Sequence, residues 1–191
     1  MRRPLLFLVY LTLLGVSLAA VPDTYFPHAP GTAWHYSGGE VQQALLPTTL
    51  RGVRVVPLSH SFGTQLVSLD YLEYRGGGVY LRGVQAGGAR GRLSWYLPPL
   101  TVYPPGPLMV GQSWSSESGG LRLGGQVVGS QAITSAYGSF NALLIRTETL
   151  AISAAVGAVA RAPSVQYVYF VPGLGAVRYQ TADGSTVDLL K

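Results

Sequence analysis

Apolar and polar positions alternate with a period of two along most of this chain, in short runs bounded by glycine or proline. In "NALLIRTET", Leu143 and Ile145 fall on one side, and Arg146 and Glu148 on the other. In "VRVVPL", Val53 and Val55 oppose Arg54. A strand sends successive side chains to opposite faces, so this is the pattern of sheet. No window keeps apolar residues at i, i+3, i+4 and i+7, the spacing of an amphipathic helix. The punctuation predicts hairpins. "YRGGGVYLRG" and "TADGSTVDLL" each place a glycine-bearing turn between two strand-like runs. In "QYVYFVPGLGAVRYQ", Pro172 presets φ for a type II turn, Gly173 accepts the positive φ, and Gly175 can host a bulge. "AISAAVGAVARA" mixes alanine with glycine and β-branched residues and is read as strand.

The stretch "YFPHAPGTAWHYSGG" shows the same logic. Pro27 and Pro30 keep it extended, Gly31 turns it, and Trp34 and Tyr36 then share one face of a first strand with His35 on the other. In the middle, "YLPPLTVYPPGPLMVGQSW" carries prolines at 98, 99, 104, 105 and 107. Proline cannot donate to a ladder, so residues 98–107 are expected to form an extended strap. The flanks of this strap resemble each other. "PGTAWHYSGG" answers "VGQSWSSESGG", with Gly31 and Trp34 matching Gly111 and Trp114. "RGVRVVPL" loosely answers "GSFNALLI". Tyr71, Gly77 and Arg82 match Tyr167, Gly173 and Arg178. An internal duplication explains this order; the competing explanation is chance likeness between glycine-rich hairpins.

Residues 1–19 read as a signal peptide. Arg2 and Arg3 precede an apolar run from Leu5 to Val16, and Ser17 and Ala19 are small residues at −3 and −1. The alternative is a retained anchor, for which the run is short against the roughly 20 residues that span a bilayer. Residues 20–191 then form a single β-rich domain, large enough for a substantial core. Loss of Arg2 and Arg3 takes the formal charge from +5 to +3. The arginines are scattered singly, whereas nucleic-acid binding wants a clustered stripe, so no nucleic-acid partner is expected. There is no cysteine, which removes disulfides, a thiol nucleophile and a lipid-modified N-terminus together.

Catalytic equipment is sparse. A Gly-x-Ser-x-Gly elbow is missing, and "YGSFNA" around Ser139 is its nearest approach. Asp70 and Glu73 differ in parity along one strand and should face opposite ways, against a paired-carboxylate site. His28 lies in the proline-rich entry, His35 in a strand and His60 in "PLSHSFG", read as a turn. None has an acidic neighbour in sequence to orient it, and Glu40 is the carboxylate nearest His35. We therefore expect no catalytic residue, no metal and no cofactor. An outer-membrane barrel is disfavoured because the proline-rich middle breaks the strand series and the chain ends in "VDLLK" without a terminal aromatic.

The segments "YFPHAPGTAWHY", "LMVGQSW", "YGSFNALLI" and "YFVPGLGAVRY" together resemble a group of exported bacterial envelope proteins, over most of residues 25–180. These share Tyr-Phe-Pro-x-x-x-Gly-x-x-Trp-x-Tyr near the mature start and Pro-Gly-x-Gly-x-Val-Arg-Tyr near the end. The architecture is similar to the curved-sheet lipoprotein carriers of the LolA/LolB type. That likeness implies a half-barrel whose concave face receives acyl chains, although this chain has no cysteine to lipidate and no clear plugging helix. The sequence thus points to an all-β protein with a large curved antiparallel sheet, a half-barrel or open barrel with little helix. It would be non-enzymatic, exported to the periplasm or cell envelope, and would hold a lipid or other hydrophobic ligand on its concave face. Trp34, Tyr36, Trp95, Trp114, Tyr167 and Tyr169 are the candidate ligand-binding residues. The other reading is an assembly component that binds an envelope protein partner through its sheet edges.

Overall fold

The computed structural model describes residues 24–152 and 162–191. The signal-peptide assignment and most of the "AISAAVGAVARA" strand assignment lie outside the described residues. The chain forms β1 (Ala33–Tyr36), β2 (Glu40–Ala44), β3 (Thr48–Leu50), β4 (Val53–Phe62), β5 (Gln65–Arg75), β6 (Gly78–Ala86) and β7 (Arg92–Tyr103). After a connection it continues through β8 (Ser113–Ser118), β9 (Leu121–Ser135), β10 (Gly138–Ala151), β11 (Ser164–Val171), β12 (Gly175–Thr181) and β13 (Thr186–Leu190). Among the described residues the only helix is a single 3₁₀ turn at Gly88–Arg90. The all-β, curved antiparallel architecture read from the alternation is the one observed.

All thirteen described strands belong to one sheet, in the order β7-β6-β5-β4-β2-β1-β13-β12-β11-β10-β9-β8, with β3 added to β4. Each half is thus a six-stranded meander, and the two meanders meet where β1 pairs with β13, His35 opposite Leu190 and Tyr36 opposite Leu189. The far edges, β7 and β8, come side by side without a ladder, so the sheet is a barrel with one unsealed seam. Thr101 N donates to Ser116 Oγ across that seam at 2.7 Å. The two meanders run through the same order of elements, as the matched segments suggested. Their entry turns have the same hydrogen bonds. Gly31 N donates to Ala44 O and Ala44 N to Thr32 O; Gly111 N donates to Val127 O and Val127 N to Gln112 O. Gly31 and Gly111 share φ near +87° and +88°.

Two expectations need correction. The strap predicted at 98–107 is half strand, because Pro98 and Pro99 sit inside β7. They are tolerated there because β7 is an edge strand and a missing donor on its seam side breaks no ladder bond. The register shift in the β11–β12 hairpin falls between Tyr169 and Phe170, opposite Ala176 and Arg178, and not at Gly175. Gly175 has a different duty. Its φ is +95°, and a Cβ there would meet Trp34 Nε1 at 3.3 Å. The remaining turn residues behave as read, with Gly76, Gly77, Gly173 and Gly184 all at positive φ.

One end of the barrel is closed by the segment that precedes β1. Phe26 is buried there, stacked on Tyr103 at 4.9 Å between ring centroids and 5.5 Å from Phe170. Tyr25 lies edge-on to Phe26, accepts from Leu108 N at 2.9 Å and takes Gly173 N on its carbonyl at 3.0 Å. Ile145, Leu100, Val127 and Val168 complete this core. A second cluster joins Trp34, Tyr36 and Leu189 to Tyr169, Val177, Ile133 and Ala142. The long β9–β10 hairpin bends so that β9 reaches β13, four strands away in the ladder, and a register shift at Leu144/Ile145 marks the bend.

Because Phe170 touches the aromatic plug and sits on the core side of β11, Phe170→Ala should lower unfolding free energy by about 3–5 kcal/mol. Phe62→Ala, at a half-exposed position, should cost no more than about 0.5 kcal/mol. Urea denaturation of the two variants checks both.

Candidate functional site

Alternation dictates what faces the lumen. Along β4 it is Val56, Leu58 and His60; along β5, Asp70, Leu72 and Tyr74; along β11, Gln166, Val168 and Phe170. Together with β1, β2, β6, β7, β9, β10 and β12 these strands line a partly open cavity of about 360 Å³, inside the ~300–1,000 Å³ span usual for small-molecule sites. The cavity is graded along its length. At the plugged end its walls are Phe26, Val79, Leu81, Tyr103 and Phe170. At the other end, among the turns that join β1 to β2 and β4 to β5, it is polar.

That polar end is built around His60. Its Nδ1 donates to Glu40 Oε1 at 2.7 Å, and Gln42 Nε2 donates to the same oxygen at 3.1 Å. On the opposite side Nε2 lies 3.3 Å from Asp70 Oδ2, within ion-pair reach but out of hydrogen-bond alignment. Burial by itself would lower the His60 pKa, but the contacts and charges of Asp70 and Glu40 outweigh it and push it up to about 9. The hydrogen bond from His60 in turn holds Glu40 below its usual range, against the opposing effect of burial. His60 is therefore an imidazolium between two acids near neutral pH. Because its two nitrogens point at different carboxylates, the three side chains do not converge on one ion, and no group among the described residues is arranged to hold a metal.

Between the two ends stands a belt of tyrosines. Tyr36 Oη donates to Ala176 O at 3.0 Å, and its ring lies 5.2 Å from that of Tyr179. Tyr74 stacks on His28 at 3.8 Å, and His28 Nδ1 donates to Phe26 O at 2.7 Å. Burial raises the hydroxyl pKa of Tyr36, Tyr74, Tyr103 and Tyr179, so all four stay neutral.

Of the six candidate ligand-binding residues, Trp34 and Tyr36 line this cavity. Trp34 Nε1 donates to Leu174 O at 2.8 Å. The other four do not line it. Tyr167 and Tyr169 have the opposite parity to Gln166, Val168 and Phe170 and stand on the outer face of β11. Tyr169 is buried there beneath the β9–β10 hairpin, and its hydroxyl donates to Gln180 Oε1 at 3.0 Å. Trp95 lies under the Arg51 guanidinium, 5.6 Å from the ring centroid. Trp114 packs beside Tyr103, 6.4 Å between centroids, where Gly125 leaves room for its ring: a Cβ there would meet it at 2.3 Å. Trp114 also borders an outer groove of about 510 Å³ along β8–β10, whose charged walls Arg146 and Glu148 are paired with each other. The parity argument that separates Asp70 from Glu73 holds: Asp70 faces His60 and Glu73 takes Arg82 at 2.7 Å.

The His60 cluster escaped the sequence reading. His60 belongs to β4 and not to a turn, and Glu40 partners His60 and not His35. The period-two pattern of "VRVVPLSHSF" running unbroken through His60 was the available signal. Comparison with known protein families, with curated proteins and with solved structures gives no match.

A histidine whose pKa is raised on folding stabilises fully below its unfolded value of about 6.5, and that contribution fades as pH climbs to about 9. Unfolding free energy should fall by about 2–3 kcal/mol across this window. His60→Gln should flatten the decline. Denaturation series at pH 6 and pH 9 on both proteins read the difference.

Proposed function

We propose that this is a non-enzymatic, exported envelope protein that holds a small hydrophobic ligand inside its barrel. The observation that carries the reading is the cavity of about 360 Å³, walled on most sides by aliphatic and aromatic side chains from both meanders. Burial of apolar surface is the driving force such a site offers, at about 25 cal/mol per Å². Export rests on residues 1–19 of the sequence. The grading of side chains also fits a water-soluble body. Outer-membrane barrels face lipid with an apolar band and keep a polar interior, whereas here the interior is apolar and the outer faces of β10 and β12 carry Arg146–Glu148 and Arg178–Asp188 pairs. In line with the non-enzymatic reading, His60, held as an imidazolium between two carboxylates, has no lone pair with which to act as a general base.

A partner strand added at the sheet edges is the second reading, favoured by the unpaired edges of β7 and β8 at the seam. It stands second because β7 carries two prolines, which leave it short of the backbone donors that an added strand would use.

Protein purified from its own host should release an apolar molecule in denaturing mass spectrometry after one is seen bound under native conditions. Leu58→Trp, which fills the cavity wall, should weaken that binding at least about tenfold, equivalent to about 1.4 kcal/mol. A chain that comes through native mass spectrometry without bound mass, and whose tryptophan emission ignores added amphiphiles, overturns the reading.

A further inference from the structure

Resting on that reading, we infer that the ligand is an amphiphile whose head is cationic or an uncharged hydrogen-bond donor, and not an anion such as a fatty acid or a phosphate-headed lipid. The argument starts from where the charges lie. At the polar end Asp70 and His60 line the cavity, and Glu40 stands behind His60 on its Nδ1, so two acids flank one base. After His60 is counted against one carboxylate, one negative charge remains over. No arginine or lysine lines the cavity among the described residues. The arginines stand elsewhere: Arg82 on Glu73, Arg146 on Glu148, Arg178 on Asp188 and Arg51 over Trp95.

An anionic head drawn into this end would lose water and meet Asp70, and the one cation lining the cavity, His60, is already shared between two carboxylates. Burying an uncompensated charge beside a like charge is among the costliest steps available to a site. A cationic head finds the surplus carboxylate instead. It also finds the rings of Tyr36 and Tyr179 on the cavity wall, and tyrosine rings attract ammonium groups through their quadrupole. The tail then points toward Phe26, Tyr103 and Phe170, where the plug closes the barrel. At the ~30 Å³ that one water occupies in the liquid, 360 Å³ holds about a dozen heavy atoms, the size of a ten-carbon chain with a small head.

The test uses three ten-carbon probes below their micelle concentrations: decyltrimethylammonium, 1-decanol and decanoate. Binding to the mature protein is followed by calorimetry and by tryptophan emission at pH 7. The cation should bind at least about tenfold tighter than decanoate, about 1.4 kcal/mol, with decanol also tighter than decanoate. Asp70→Asn should narrow the gap between cation and anion severalfold, with Glu40→Gln as the second variant if circular dichroism shows the first misfolded. Leu58→Trp should lose the cation, which separates the cavity from binding on the outer surface. Decanoate binding as tightly as the cation would overturn this inference and leave the hydrophobic-cavity reading standing. Failure of all three probes would overturn both.

Discussion

The short ladder between β1 and β13 is the contact on which the rest of the molecule depends. It consists of two residue pairs, His35 with Leu190 and Tyr36 with Leu189. Ser37 N on Asp188 O at 2.8 Å and Asp188 N on Ser37 Oγ at 2.9 Å extend it. Without it there are two six-stranded meanders, each with an apolar face and nothing to cover it. With it the two faces turn toward one another and share a lumen. The equivalent place in the repeated strand order is the β7–β8 seam, where no ladder forms. The difference has a chemical cause. β7 carries Pro98 and Pro99, and its ladder to β6 breaks register twice, so it presents few aligned donors to β8. Side-chain packing takes over there, with Tyr96 lying 3.2 Å from where a Cβ on Gly119 would be.

Closure by this route gives the lumen its polarity. Strands of a meander present their ends alternately to the two ends of a barrel, so residues far apart in sequence collect by depth. Glu40 starts β2, His60 is near the end of β4, and Asp70 is set back in β5 by the register shift at His60/Ser61. They meet because the ladder puts them at one depth. Phe26, Tyr103 and Phe170 meet at the other end by the same rule, with the chain entering β1 folded over them as a plug. Here an extended aromatic segment supplies the cover.

Much of this was legible in the residues. Trp34 and Tyr36 on one face with His35 on the other, the positive-φ glycines of the hairpins, and the opposed directions of Asp70 and Glu73 all follow from period two and turn chemistry. These are local rules, decided within a few residues by sterics. The placement of Tyr167 and Tyr169 was not legible. Alternation separates them from Gln166, Val168 and Phe170, but it does not say which set faces inward, and both sets are rich in apolar groups. Tyr169 is covered on the outer side because the β9–β10 hairpin brings Ile133 into its cluster, and β9 is not a ladder neighbour of β11.

The same limit hid the ionised cluster around His60. Glu40, His60 and Asp70 are unremarkable in sequence, each in its own hairpin, and only inter-strand register makes them neighbours. Sequence by itself determined the fold class, the strand punctuation and the scarcity of catalytic groups, because propensity, alternation and composition are properties of short segments. Tertiary structure alone decided the closure of the sheet, the inward parity of each strand and the charge at one end of the cavity. Those are set by pairings between segments up to 150 or so residues apart, as between Tyr36 and Leu189, and no local pattern encodes them.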